Sequence, residues 1–227
     1  MSTYLWVNLA SISIPLLFSF HPRFPFYKEW KYFFPACLLT AIFFLVWDHF
    51  FTVSGVWGFN EKHLIGINWW QMPLEEYLFF FCIPYACVFT YFALTQLTKI
   101  PANPIPKLWI LGIFFLIIGV SSWGKAYPQV TFILLGLAWI IIDRFVFKYS
   151  LQFLIAYLLI LLPFFVVNGV LTGSWITEEV VWYNDAENFG VRMGTIPVED
   201  AFYAMLLLLM NIGFYEWFRK DTSSLMV

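Results

Sequence analysis

Residues 73–97 read PLEEYLFFFCIPYACVFTYFALTQL. Past the two glutamates no charged side chain appears, and the apolar residues do not alternate. A stretch of about 20 mostly apolar residues is what a helix needs to cross a bilayer core of about 30 Å. The sequence therefore predicts a membrane span near 76–97. Comparable runs lie near 4–20, 32–51, 107–123, 128–147, 150–170 and 199–218. Seven spans in 227 residues leave short loops and no separate soluble domain. The composition agrees: 62% hydrophobic, 23% aromatic and 11% charged, with mean hydropathy +0.78. Soluble domains carry about 25% charged residues. The expectation is an all-α integral membrane protein forming a single membrane domain over 1–227. The period-two alternation of a membrane β-barrel is absent. The first run lacks a cationic leader and a small-residue cleavage site before His21, so it reads as a retained helix.

With 12 Lys and Arg and a net charge of −2, the chain has no basic footprint for nucleic acid. Cys37, Cys82 and Cys87 all sit in apolar runs, without the paired spacing of a zinc site, and read as buried filler. Seven spans put the termini on opposite sides. One side carries Arg23, Lys28, Lys31, Lys99, Lys107, Arg144, Lys148, Arg219 and Lys220; the other carries Lys62, Lys125 and Arg192. By the positive-inside rule the C-terminus is cytoplasmic and the N-terminus outside, with a bacterial cell membrane as the expected location. This parity depends on the short turn Trp123–Tyr127.

Two stretches match at an offset of 124 residues: Asn60-Glu61 with Asn184-Asp185, Gly66 with Gly190, and Pro73-Leu74-Glu75-Glu76 with Pro197-Val198-Glu199-Asp200. Upstream, at an offset of 120, Asp48-x-x-x-Thr52 matches Asn168-x-x-x-Thr172. The colinear order predicts two parallel three-helix repeats, about 1–100 and about 127–220, joined by a linking helix at about 107–123.

Pro73 and Pro197 suit a helix first turn, where a missing N–H costs nothing. The acids that follow suit the positive end of the helix dipole. A proline-led acidic helix start is also common for purely structural reasons. Two copies in register, each entering an apolar helix, point instead to function, because acids at membrane depth are costly. Burial and mutual repulsion favour keeping at least one proton on such a cluster, which places a general acid beside a general base. Successive helical residues diverge by about 100°, so one acid of each pair should lead. The sequence favours Glu75 and Glu199, tuned by Glu76 and Asp200. Asp48 and Asn168 either hydrogen-bond an acid of the following helix or are bonded locally. Arg192 either neutralises the second acid pair or is a hydrated loop residue. His49 and His63 rank lower as proton relays, since the other repeat lacks them. Most of the 52 aromatic residues suit lipid contact and interfacial belts. Trp69, Trp70, Tyr77, Phe79, Phe202 and Tyr203 are candidates to line a cavity where a cation forms, each ring face contributing about 0.5–2 kcal/mol.

These motifs resemble the paired motifs of the membrane-embedded lycopene cyclases, which occur in some bacteria as two small subunits and in fungi as a domain fused to phytoene synthase. Trp47-Asp48 with Thr52, Asn168 with Thr172, and the loop Gly190-x-Arg192-x-Gly194 follow the same pattern, although Asn68 stands where the second half has Arg192. The resemblance covers nearly the whole chain and implies lycopene β-cyclase activity, a redox-neutral isomerisation closing acyclic ends of lycopene to β-rings, giving γ-carotene or β-carotene. It implies lycopene and related acyclic carotenoids as substrates, membrane lipid as surroundings and other carotenoid-pathway enzymes as partners. No Gly-x-Gly-x-x-Gly dinucleotide motif stands in the sequence, so a flavin-independent enzyme without cofactor or metal is expected. The alternatives are a carotenoid hydratase, a prenyl transferase (for which Asp48 and Asp143 lack the second aspartate of a Mg²⁺-diphosphate motif) and a small-molecule transporter. A retinal protein would need a lysine within 199–218, where none stands.

Overall fold

The computed structural model describes residues 2–98, 100, 105–145 and 149–224, with side chains at all of them except 142–145 and 221–224. Among these residues the chain forms seven α-helices: α1 (Thr3–Phe18), α2 (Trp30–Val53), α3 (Leu74–Leu97), α4 (Trp109–Ser121), α5 (Ala126–Phe145), α6 (Ser150–Leu171) and α7 (Val198–Ser224). Each coincides with one of the apolar runs. Four segments are long and apolar enough to cross a membrane: Phe26–Val53, Leu74–Leu97, Ser150–Leu171 and Val198–Lys220. The turn between α4 and α5 is real. Ser121 ends one helix, Gly124 takes a positive φ of 87°, and Ala126 starts the next.

α1 packs on α3, α2 on both α3 and α7, and α5 on both α4 and α7. The short α4 lies unusually close to α5. A Cβ on Gly112 would stand 2.8 Å from the Gly136 carbonyl oxygen, and one on Gly136 would stand 2.7 Å from that of Gly112. Small residues at a helix contact allow such close backbone approach. The core between the long helices is aromatic. Phe26, Phe33, Phe44, Phe80 and Tyr85 are fully buried, and Phe26, Phe33 and Tyr85 meet edge-on or tilted at centroid distances of 5.3–5.7 Å. All three cysteines are buried free thiols, as the sequence indicates.

The loops at one end are more ordered than their composition predicts. β1 (Trp57–Phe59) pairs antiparallel with β4 (Val181–Tyr183), so that Trp57 opposes Tyr183 and Gly58 opposes Trp182. Asn60 N–H donates to the Val180 carbonyl and Asn184 N–H to the Val56 carbonyl, both at 2.9 Å. Two smaller hairpins, β2 (Asn68–Trp69) with β3 (Met72–Pro73) and β5 (Arg192–Met193) with β6 (Ile196–Pro197), precede α3 and α7. Strands of two or three residues are too short to show an alternation, yet backbone polar groups at a membrane boundary need partners, and these ladders supply them. Lys62 bridges to Glu178 at 2.8 Å across the two loops; that hydrogen bond, with a second from Asn60, holds the Glu178 carboxyl below its usual range. Lys125 donates to the Asn188 carbonyl at 2.5 Å, so the α4–α5 turn lies at this same end. At the opposite end Arg219 meets Glu29 at 3.4 Å. Lys99 and Lys148 lie outside the described residues, as does the side chain of Arg144.

Candidate active site

Pro73 and Pro197 sit one residue earlier than a first-turn position. Each is the last residue of its hairpin, and the helices start at Leu74 and Val198. An extended backbone at Pro73 (φ −69°, ψ 150°) turns the chain from ladder into helix, so that the next two acids point in different directions.

The first acid of each pair turns back to its own loop. Glu75 Oε1 accepts the Ile65 N–H at 2.7 Å and the Ser2 hydroxyl at 2.6 Å. Glu199 Oε1 accepts the Phe189 N–H at 2.6 Å. Both are fully buried. The second acid of each pair turns inward, which reverses the order favoured from sequence. Glu76 and Asp200 line a small pocket, together with Asp48 from α2. The spacing does not distinguish the two members of a pair; the loop amides that capture Glu75 and Glu199 do.

Around the cavity the acids meet hydroxyl and amide donors from distant elements. Tyr4 of α1 donates to Glu76 Oε2. Tyr127 of α5 donates to Asp200 Oδ1 at 2.6 Å; Asn168 of α6 and Tyr183 of β4 donate to Oδ2 at 2.6 and 2.9 Å. Burial, and after it the negative charge of Asp200, pushes the Tyr183 phenol well above its usual range, so that it remains a donor. Asp48 Oδ1 accepts the Trp57 indole N–H at 2.6 Å, while its Oδ2 is buried with no hydrogen-bond partner among the described residues. Asp200 is thus furnished as an acceptor on both oxygens, and Asp48 keeps one oxygen for a proton of its own. Trp57, Phe59, Phe79, Tyr203, Leu171 and Val181 complete the walls.

A second pocket, an apolar groove, lies beside this chamber. It runs between α3, α6 and α7, with Ser11 of α1 at its edge, and shares Phe79, Asn168 and Tyr203 with the chamber.

Not every residue singled out from sequence reaches the cavities. Phe79 and Tyr203 line both. Trp69 and Trp70 do not: they are 71% and 48% exposed on the hairpin, where Trp69 lies against Tyr77 at 5.3 Å and Trp70 stacks on His49 at 4.0 Å. Tyr77 is drawn to the same hairpin, its hydroxyl donating to the Trp69 carbonyl at 2.8 Å. Phe202 faces away, against Phe132 and Phe115 at 4.8 and 5.7 Å. Arg192 pairs with Asp185 at 2.5 Å and donates to the Thr195 carbonyl, so its charge is spent within its own loop, where it holds the Asp185 carboxyl below its usual range. His63 meets Thr3 at 2.9 Å, also outside the lining. Of the two helix-end polar residues, Asn168 bonds the acid of the following helix, whereas Asp48 bonds Trp57 instead. Tyr4, Trp57, Tyr127 and Tyr183 were not singled out from sequence. Extending the repeat offset upstream pairs Tyr4 with Tyr127 to within one residue, which was the available signal.

The sequence profile of the family described as lycopene cyclase matches residues 1–94 and 124–218. A stretch of 33 residues is 48% identical to the lycopene beta-cyclases of two strains of Halobacterium salinarum, covering 14% of this chain and 14% of each relative. No solved structure matches the chain significantly. With the profile spanning both halves, this chain belongs to the lycopene cyclase family.

Proposed function

We propose that this protein is a lycopene β-cyclase that closes the acyclic ends of lycopene by proton-in, proton-out chemistry. The observation that carries the reading is the convergence of Asp48, Glu76 and Asp200 in one aromatic-walled chamber that shares Phe79, Asn168 and Tyr203 with an apolar groove. In the proposed step Asp48 or Glu76 gives a proton to the terminal double bond, leaving a tertiary cation. The electron pair of the neighbouring alkene closes a six-membered ring, and Asp200 takes a ring proton as the new double bond forms. The formula is unchanged and no electron acceptor is required. Trp57, Phe79 and Tyr203 offer ring faces to the cation. A water-poor site suits the chemistry, since water would trap the cation as an alcohol. Proton return from Asp200 to the acid resets the chamber.

The same reading takes all seven helices as spans, with an outside N-terminus and a cytoplasmic C-terminus. Arg23, Lys28, Lys31, Lys107, Arg219 and Lys220 then face the cytoplasm. It takes α1–α3 and α5–α7 as parallel repeats about a pseudo-two-fold axis, with α4 linking them. Matching bonds support this: Ile65 to Glu75 and Phe189 to Glu199, Leu74 N–H to the Ile67 carbonyl and Val198 N–H to the Val191 carbonyl, each pair offset by 124 residues.

Expression in bacteria that accumulate lycopene, followed by pigment chromatography, tests the activity. Cyclic carotene is the expected product. Unchanged lycopene beside properly inserted protein would refute the reading, and a hydroxylated end would favour a hydratase.

A further inference from the structure

The two halves fill equivalent gaps differently. On the α2 side of α7, Trp47 and Phe44 rest on Tyr203 with ring centroids 4.9 and 5.0 Å apart, and Phe44 meets the fully buried Phe80 at 5.9 Å. On the α6 side of α3, several positions offset by the same 120 and 124 residues carry smaller groups, although Phe164, the counterpart of Phe44, keeps its size and lines the groove. Val167 stands for Trp47 and Ala204 for Phe80, and both line the open groove. Thr90, another lining residue, stands where α7 carries Phe214. Membrane interiors pack as closely as other protein interiors, so removing this much side-chain volume along one seam leaves a channel rather than a looser core.

We propose, on the basis of the cyclase reading above, that the α3–α6–α7 groove is a lateral channel for a linear polyene chain. Val167 and Thr90 set its width, and the equivalent channel is plugged by Trp47 and Phe80. The occupant follows from the lining and the course. The walls are almost wholly apolar, the outer face of α6 beside them exposes Leu158 and Leu162 where lipid lies, and the inner end shares Phe79, Asn168 and Tyr203 with the chamber that holds the acids. From Phe79 to Thr90 the groove follows α3 for about 16 Å. A chain comparable in length to the bilayer core of about 30 Å would therefore leave its other half in the membrane. One groove and one chamber admit one chain end at a time.

The test is a volume series at Val167 (Ala, Leu, Phe, Trp), with Thr90→Phe narrowing the channel from the opposite wall and Leu158→Trp as a lipid-facing control. Two quantities are read: cyclisation in lycopene-accumulating cells, and lycopene retained by detergent-purified protein, measured by visible absorbance. Both should fall stepwise with volume at 167, at least about tenfold at Val167→Trp. Thr90→Phe should reproduce the loss, which guards against a misfolded Val167→Trp, and Leu158→Trp should match the parent. If inserted Val167→Trp and Thr90→Phe proteins both cyclise and retain lycopene like the parent, the groove is a lipid-chain site and the proposal is overturned. If the parent itself leaves lycopene unchanged, the cyclase reading fails, and the retention series still decides the channel.

Discussion

The Tyr127 hydroxyl donates to Asp200 Oδ1 at 2.6 Å, joining the first turn of α5 to the first turn of α7. Tyr127→Phe leaves Asp200 with two donors and one uncompensated buried oxygen. Removing a donor from a buried charged acceptor costs about 1–3 kcal/mol. The variant should insert normally, lose at least about tenfold in cyclisation through the misplaced carboxyl, and melt earlier when detergent-solubilised. Unchanged pigment output would place Asp200 outside the reaction.

Tyr183 makes the alkaline limb informative. Its folded phenol is held well above the free value of about 10, by burial first and by Asp200 second. A group with a raised folded pKa contributes stability that is fully present below the unfolded value and lost as pH rises through the folded one. Thermal stability should therefore decline above about pH 10, and less steeply in Tyr183→Phe. Phenolate absorbance during a pH titration checks which rings ionise first.

The contact between α4 and α5 depends on bare backbone. A methyl group at Gly136 would meet the Gly112 carbonyl oxygen at 2.7 Å and the Leu116 side chain at 2.8 Å. Gly136→Ala should destabilise by about 1–3 kcal/mol through overpacking, read as a lower melting temperature, with the chamber chemistry of surviving protein intact.

The β2–β3 turn carries stored strain. Trp70 and Gln71 adopt φ of 48° and 59°, a pair of left-handed residues that a two-residue hairpin normally gives to Asn and Gly. Gln71→Gly should stabilise by up to about 1 kcal/mol without altering pigment output; a loss of stability would show that the Gln71 side chain has a role of its own.

Much of this organisation is written along the chain. Continuous apolar runs mark all seven helices to within a few residues, and four of the segments are long enough to cross a membrane. The offset between Pro73 and Pro197 marks the two acidic helix starts. What the spacing leaves open is direction. Glu75 and Glu76 differ only by a rotation of about 100°, and the amides of Ile65 and Phe189, supplied by loops folded into ladders, decide which acid is captured. Trp69 and Trp70 misled for a similar reason: they adjoin the motif in sequence, but the tight turn carries them to the surface. Tyr4 and Tyr127 reach the acids from helices more than 70 residues away, and Tyr183 from the strand that precedes the hairpin; no local pattern announces these bonds.

The chamber acids Asp48, Glu76 and Asp200 carry the proposed chemistry, while Glu75 and Glu199 hold the loops. Glutamine keeps a carbonyl oxygen that accepts the Ile65 or Phe189 N–H. The direct measurement is the cyclic carotene formed per inserted protein in lycopene-accumulating cells, compared across Glu75→Gln, Glu199→Gln, Glu76→Gln and Asp200→Asn. Substantial activity is expected in the first two and none detectable in the last two. The reverse pattern, with Glu76→Gln and Asp200→Asn active and the clamp variants dead, would contradict this assignment.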